Sequence, residues 1–386
     1  MTTIGVQRAS VERRSFRQGW SDAHALSAVT VALAVLGTVL VGAASQVISL
    51  SLYGSPWAIL ARQGLWLGLG LLALLGFGRL DYHRLSGLSI PVLLVSFLGL
   101  MAVLAPHIGS KVTGSSRWIG VGAFSVQPSE IMKLALVLFF AQLIAKRQAA
   151  GAPIKLVVFP VVIVMCVAGA LVLRQPDLGT TVVFGVIAFS MLFAAGVPGR
   201  VLSPIALVLG ASVLGLSLSD PYRRQRLLSF LHPSVHSAGS GYQVLQSMLG
   251  VGSGGILGTG LGSGWVQWGY LPNAQTDFIY AVIAQELGLF GAVGVLLVIM
   301  VLCWIGIRIA LRAPDRFGAL LTVGIVAWIA SETFINIGAV LGLLPVTGIP
   351  LPFLSYGGSS LVVTMAAIGI VRSVARASDQ RRVSVT

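Results

Sequence analysis

Apolar positions along this chain come in long unbroken runs, separated by short clusters rich in arginine, glycine and proline. Ten runs stand out, at roughly 26–47, 61–78, 88–105, 129–146, 156–173, 178–195, 201–218, 278–304, 317–343 and 356–374. A helix of about 20 apolar residues crosses a bilayer core of about 30 Å, so the pattern predicts ten membrane-spanning helices. The expected fold class is all-α, a polytopic integral membrane protein. Most connections are short. Three are longer, at about 106–128, 219–277 and 344–355, and long structured connections tend to carry function.

Composition agrees. Of 386 residues, 56% are hydrophobic and 9% charged, with a mean hydropathy of +0.93. Soluble domains carry about 25% charged residues, and disorder requires low hydrophobicity. An ordinary soluble enzyme and a disordered chain are both excluded. No polar linker divides the apolar runs, so one membrane domain is expected over 26–375, with the large loop at 219–277 and tails at 1–25 and 376–386. The tail carrying Arg8, Arg13, Arg14 and Arg17 enters the first apolar run without a small-residue cleavage site, so that run is expected to stay in place as a span. Cys166 and Cys303 stand alone in apolar runs and are expected to be buried thiols.

Charge sets the topology. The chain has 25 Lys+Arg against 11 Asp+Glu, a net +14. In a soluble protein that excess would suggest nucleic acid, but here its placement matters more. With the N-terminal tail inside, seventeen basic residues fall in inner segments and six in outer ones: Lys111, Arg117, Arg174, Arg223, Arg224 and Arg226. This bias predicts both termini on the cytoplasmic side and an even number of spans. All three long connections then face outward.

Five acids, Glu130, Asp177, Asp277, Glu286 and Glu332, fall at or inside span ends in the outer half of the membrane. A carboxylate in hydrocarbon costs several kcal/mol unless paired, so each is a candidate for function. Asp177 and Asp277 also stand where a helix N-cap would, and capping and chemistry both remain open for them. Glu130 and Lys133 are three apart on one helical face, the spacing of an ion pair. Glu332, with Ser331 and Asn336, forms a polar stripe that suits either contact between helices or the wall of a cavity. Glu286, beside Gln285, is equally open. The outward cations suit phosphate oxygens, with lipid head groups or the five acids as alternative partners.

Other motifs do not hold up. The run Gly250–Gly264 ends in no Lys-Ser/Thr and follows no strand, so it is neither a Walker loop nor a dinucleotide fingerprint. Close backbone packing against helices or a ligand is the expected role. His232 and His236 have i, i+4 spacing, but Pro233 follows the first and no acidic ligand accompanies them. Two classes fit the rest: a carrier or flippase for an anionic amphiphile, or a transferase whose activated substrate, such as a lipid-diphosphate sugar, brings its own leaving group.

At the outer segments the chain resembles the SEDS family (shape, elongation, division, sporulation), the RodA/FtsW/SpoVE group of bacterial cell-wall proteins. The matching stretches are Gly114-Ser-Ser-Arg-Trp-Ile119, Gln127-Pro-Ser-Glu-Ile-Met-Lys133, Gln175-Pro-Asp-Leu-Gly-Thr-Thr181 and Tyr222-Arg-Arg-Gln-Arg226 with Phe230. Tyr242-Gln243, the glycine run, Leu271-Pro-Asn-Ala-Gln-Thr-Asp-Phe278, Glu286-Leu-Gly288 and Asn336-Ile-Gly338 follow. The series ends with Leu344-Pro-Val-Thr-Gly-Ile-Pro-Leu-Pro-Phe-Leu-Ser-Tyr-Gly-Gly-Ser-Ser360. Together they cover roughly 60–375. Thr347-Gly-Ile-Pro-Leu-Pro352 resembles the RodA version, while the Pro221-Tyr-Arg stretch leans towards FtsW; the RodA-like reading is favoured.

The resemblance implies an inverting peptidoglycan glycosyltransferase in the bacterial cytoplasmic membrane, polymerising lipid II on the outer face. The alternatives are a lipid II flippase and a non-catalytic scaffold for a class B penicillin-binding protein. Implied partners are lipid II, a lipid-linked glycan, a class B penicillin-binding protein and other elongation or division proteins. The family's essential acid falls on Asp277, expected as general base. Lys111, Arg117, Arg174, Arg223, Arg226, Gln243 and Ser355 are expected to face substrate, the cations holding diphosphate. Glu130, Lys133, Asp177, Glu286, Glu332 and Asn336 are expected as architecture of the cavity. The family often has Glu and His where this chain has Asn273 and Gln275, and a second acid at Gln285. No cofactor is certain; a divalent cation, Mg or Mn, is chemically plausible without a ligand cluster to hold it.

Overall fold

The computed structural model describes residues 21–105, 110–112, 115–121, 124–219, 221–231 and 240–385. The helices in chain order are α1 (Asp22–Tyr53), α2 (Ala58–Arg79), α3 (Arg84–Leu104), α4 (Pro128–Ala149), α5 (Ile154–Leu173) and α6 (Leu178–Ala194). They continue with α7 (Gly199–Ser219), α8 (Pro221–Leu231), α9 (Ser240–Ser253), α10 (Ile279–Arg312), α11 (Arg316–Val340) and α12 (Gly358–Val385). Nine of the described helices are long and apolar enough to cross a membrane. The 17-residue α6 is apolar but shorter. At 1.5 Å per residue it reaches about 25 Å, near the lower limit for a span.

Burial sorts these helices into centre and rim. In the most apolar stretches of α12, α11 and α4, 78%, 72% and 67% of residues are buried, against 6% in α7. The central helices carry the polar groups because only protein neighbours can satisfy them there. The rim helices show leucine and valine outward. Cys166 follows the rim pattern: it is exposed, and Cys303 is half-buried, so the expectation of two buried thiols fails. Cys166 sits on a helix face open to the surroundings, where a thiol meets lipid as readily as any small apolar group, and Cys303 packs against the edge of the core.

Two of the long connections hold secondary structure of their own. Residues 219–277 hold α8, α9 and a short 3-10 turn at Val266–Trp268. Within 106–128, β1 (Ser110–Val112), β2 (Ser115–Val121) and β3 (Phe124–Val126) form an antiparallel meander, with Ser110 opposite Trp118 and Ile119 opposite Val126. The segment expected as the C-terminal tail, from 376, is helical, as α12 continues to Val385.

The continuous apolar run at 278–304 conceals a break. Gly288 has φ 67°, ψ −166° and divides α10 in two. The backbone groups freed there are met by the glycine run. Thr259 and Gly260 donate N–H to the carbonyls of Gln285 and Glu286 at 3.0 Å each, and Leu289 donates to Gly255 at 2.9 Å. A Cβ on Gly258 would fall 2.2 Å from the Glu286 carbonyl, so only glycine permits this contact. Glu286 is buried at the break, nine residues along α10 from Asp277.

Candidate active site

Three segments converge where α6 and α10 begin and α11 ends: the turn 271–278, the β2 strand with the start of α6, and the connection 344–357. The turn is organised by Asn273, at φ 60°, whose carbonyl accepts N–H bonds from Thr276 and Asp277 at 3.1 Å and Phe278 at 3.4 Å. The N-cap of α10 is Phe278, with no side-chain cap. Asp277 therefore does not cap its helix, and that reading is set aside. Asp177 does cap: its Oδ1 accepts from the Thr180 N–H at 3.1 Å and its Oδ2 from the Thr180 hydroxyl at 2.9 Å.

Arg117 reaches from β2 into this junction. Its Nε donates to the Gln175 carbonyl at 3.1 Å, one terminal nitrogen donates to the Pro176 carbonyl, and Nη1 stands 3.6 Å from Asp177 Oδ2. Gly348 lies against both charged groups. A Cβ there would be 3.6 Å from Asp277 Oδ2 and 3.9 Å from Arg117 Nη1, and its φ of 76° suits glycine. Arg226, on α8, donates to the Val346 carbonyl at 3.3 Å. It also borders a cleft lined by Pro176, Leu178, Ser217, Leu227, Pro345 and Thr347.

Asp277 is half-buried. Burial raises its carboxyl pKa; the positive charges of Arg226 and Arg117 oppose this, and the negative Asp177 adds to it. The balance pushes it up to about 6. A carboxylate held there is charged at neutral pH yet basic enough to take a proton. Asn336 fixes it from below. The Asn336 side-chain amide donates to the Asp277 carbonyl at 2.8 Å and to the Ile349 carbonyl at 2.7 Å, joining the acid's turn to the Gly348 segment. Asn336→Leu removes both donors and leaves two carbonyls unpaired, each costing about 1–3 kcal/mol. Thermal unfolding of that variant should start at lower temperature, with turnover reduced further than the folded fraction alone explains.

The other expected residues divide. Glu130, Lys133 and Glu332 meet in one buried cluster: Lys133 Nζ is 2.7 Å from Glu130 Oε2 and also hydrogen-bonds Glu332 Oε1. All three are at most 2% exposed, so they lock α4 to α11 rather than wall an open cavity. Ser355 is corrected: it is buried, and its hydroxyl accepts the Leu351 N–H at 2.8 Å, holding the turn instead of facing substrate. Arg174 is exposed at the end of α5, and Gln243 half-buried on α9; among the described residues no contact joins either to Asp277. The side chains of Lys111 and Arg223, and the whole of Asp220, His232 and His236, lie outside the described residues.

The donor set does not favour a resident metal. Among the described residues no three His, Cys, Asp or Glu side chains converge. Asp177, whose charge bears on Asp277, has Arg117 3.6 Å away, and a guanidinium competes with a cation for the same oxygens. Gly348 is the residue sequence reasoning passed over. Its signal was a glycine inside a proline-rich turn, a position that calls for positive φ.

A family model described as cell cycle protein, FTSW_RODA_SPOVE, matches residues 23–380. The stage V sporulation protein E of Bacillus subtilis is 41% identical over 350 residues, 91% of this chain and 96% of that protein. The probable peptidoglycan glycosyltransferase FtsW of Nitrosococcus halophilus is 42% identical over 358 residues, 92% of each. Among solved structures, a chain described under structural coordination of polymerization and crosslinking by a peptidoglycan synthase complex aligns with TM-score 0.71 and 34% identity, covering 92% of this chain and 98% of its own. The Thermus thermophilus rod shape determining protein RodA aligns with TM-score 0.67 and 29% identity, covering 91% and 95%. The likeness spans both RodA and FtsW/SpoVE proteins, so the Thr347–Pro352 stretch does not by itself assign the subgroup.

Proposed function

Since the chain belongs to the FtsW/RodA/SpoVE family of cell cycle proteins, we propose that the site around Asp277 is where it elongates glycan strands from lipid II. The chain is a membrane-embedded peptidoglycan glycosyltransferase. In the proposed step the 4-hydroxyl of one lipid-linked sugar attacks the anomeric carbon of the other. The hydroxyl proton passes to Asp277, the new C–O bond forms, and the bond to the lipid diphosphate breaks with both electrons leaving on the diphosphate. One displacement inverts the anomeric centre, so one base suffices. Arg117 and Arg226 supply charge beside the leaving group, where stabilisation is worth most.

One observation carries this reading. Asp277 is an acid that caps nothing, lies within the charge fields of Arg117 and of Arg226, which lines a cleft, and has a pKa near the working range. Family membership supports the wider reading: an outward-facing site in the bacterial cytoplasmic membrane, both termini inside, and a class B penicillin-binding protein beside it, with Thr347–Pro352 as the RodA-like feature of a chain whose relatives include FtsW and SpoVE. Purified protein given lipid II should make glycan strands. Translocation of lipid II across liposomes without polymer would support the flippase instead, and complex formation with neither activity would support the scaffold.

Titration gives a second test. The base must be unprotonated, so strand synthesis should be flat above about pH 7 and fall towards tenfold per pH unit below about pH 6. A profile unchanged down to pH 4.5 would remove Asp277 from the proton transfer.

A further inference from the structure

At the end of the bundle opposite Asp277 three arginines gather, and among the described residues no ion pair joins them to an acid. Arg372 and Arg376 are one turn apart on α12, and Arg79 is the last residue of α2. Arg376 Nη1 donates to the Gly78 carbonyl at 2.9 Å. Arg372 lies alongside, with its Cδ 2.9 Å from where a Cβ on Gly78 would stand. Its Nε is buried and has no hydrogen-bond partner among the described residues. The charges that bear on Arg372 are the like charges of Arg376 and Arg79. The neighbouring Asp81 is taken up by His83, whose Nδ1 is 2.8 Å away, and Asp379 lies three residues beyond Arg376. The C-terminus of α2 offers about half a negative charge, too little for three guanidinium groups.

The surface beside this cluster is apolar. Leu65, Leu69, Leu72 and Leu75 are exposed at 49%, 39%, 68% and 38%, and their spacing keeps them on one face of α2 that ends at Arg79. A face of leucines leading to a cationic end has the shape of acyl chains below a head group. From these contacts we infer that the α2–α12 end binds the phosphate of an anionic phospholipid. Arg372 and Arg79 hold the phosphate oxygens and the leucine face receives the chains. Arginine suits this role because its planar fork matches phosphate oxygens, and basic clusters between helices at the membrane surface select anionic head groups. The site is remote from Asp277 and does not depend on the glycosyltransferase reading.

The test uses the full chain in neutral detergent, with phosphatidylglycerol, phosphatidylcholine and inorganic phosphate as separate probes, and native mass spectrometry counting bound lipid. Phosphatidylglycerol should remain bound where phosphatidylcholine does not, and millimolar inorganic phosphate should fail to displace it. Arg79→Gln with Arg372→Gln should weaken retention about thirty-fold, taking each arginine at its usual contribution near an anionic surface. Equal retention by this double variant, or displacement by inorganic phosphate, overturns the proposal. If the double variant does not fold, Arg79→Glu serves, because Arg79 is exposed at a helix end; it must weaken phosphatidylglycerol retention while leaving the unfolding midpoint in phosphatidylcholine unchanged. Unaltered retention by that variant overturns the proposal equally.

Discussion

Asp277→Asn should abolish strand synthesis while leaving a folded protein that still binds lipid II. The asparagine keeps the shape of the side chain but cannot take the hydroxyl proton, and loss of a positioned base costs about 10²–10⁴ in rate. Stability should move the other way. The folded-state pKa of about 6 lies above the ordinary aspartate value of 3.8, so the folded protein binds the proton more tightly than the unfolded chain. Stability associated with this group is therefore present at low pH and declines as pH rises from about 4 to about 6. Above that window the charged form carries a cost, on the order of 1–3 kcal/mol, which the neutral amide escapes. At pH 7.5 the variant should be inactive and no less stable than the parent. Gel analysis of lipid II products beside an unfolding curve decides it: substantial residual polymer means some other group is the base.

Lys133→Met should give the largest loss of stability. Lys133 is the single cation between Glu130 and Glu332, and its Nζ also stands 4.8 Å from the centre of the Trp328 ring. Without it two buried carboxylates face each other across the α4–α11 contact. Breaking a buried ion pair from one side costs about 3–5 kcal/mol, because the abandoned charge has no solvent to return to. Glu332→Gln should cost less, since the Lys133–Glu130 pair survives it. Replacing all three by uncharged residues of similar volume should recover much of the loss. Unfolding midpoints of the three variants test that order; a Lys133→Met protein as stable as the parent would show that the cluster is not the lock described. The effect reaches the site, because Asn336 is one turn beyond Glu332 and holds the Asp277 carbonyl.

The fold was largely legible in the sequence. Each apolar run between 26–47 and 356–374 overlaps an apolar helix, because length and hydrophobicity of a segment are local quantities that a bilayer reads directly. The long connections were legible as unusual, but not as α8, α9 and a small sheet. Polar sequences of that kind fold by packing on neighbours, and their own pattern is weak.

What the sequence determined by itself was the arrangement that local chemistry enforces: apolar segments that must become helices, the basic bias at their ends, and the Glu130–Lys133 pair within one helical turn. Tertiary structure alone decided the rest. Asp177 and Asp277 read alike in sequence, yet one caps a helix and pairs with Arg117, while the other caps nothing, because α10 starts two residues after its aspartate and Phe278 takes the N-cap position. Glu332 finds Lys133 from 199 residues away, and Gly348 lies against Asp277 from 71 residues away. The break at Gly288 lies inside an unbroken apolar run and exists because the glycine segment supplies hydrogen bonds there. A side chain's sequence neighbours set its helix face, but only the packing of distant helices sets what that face meets.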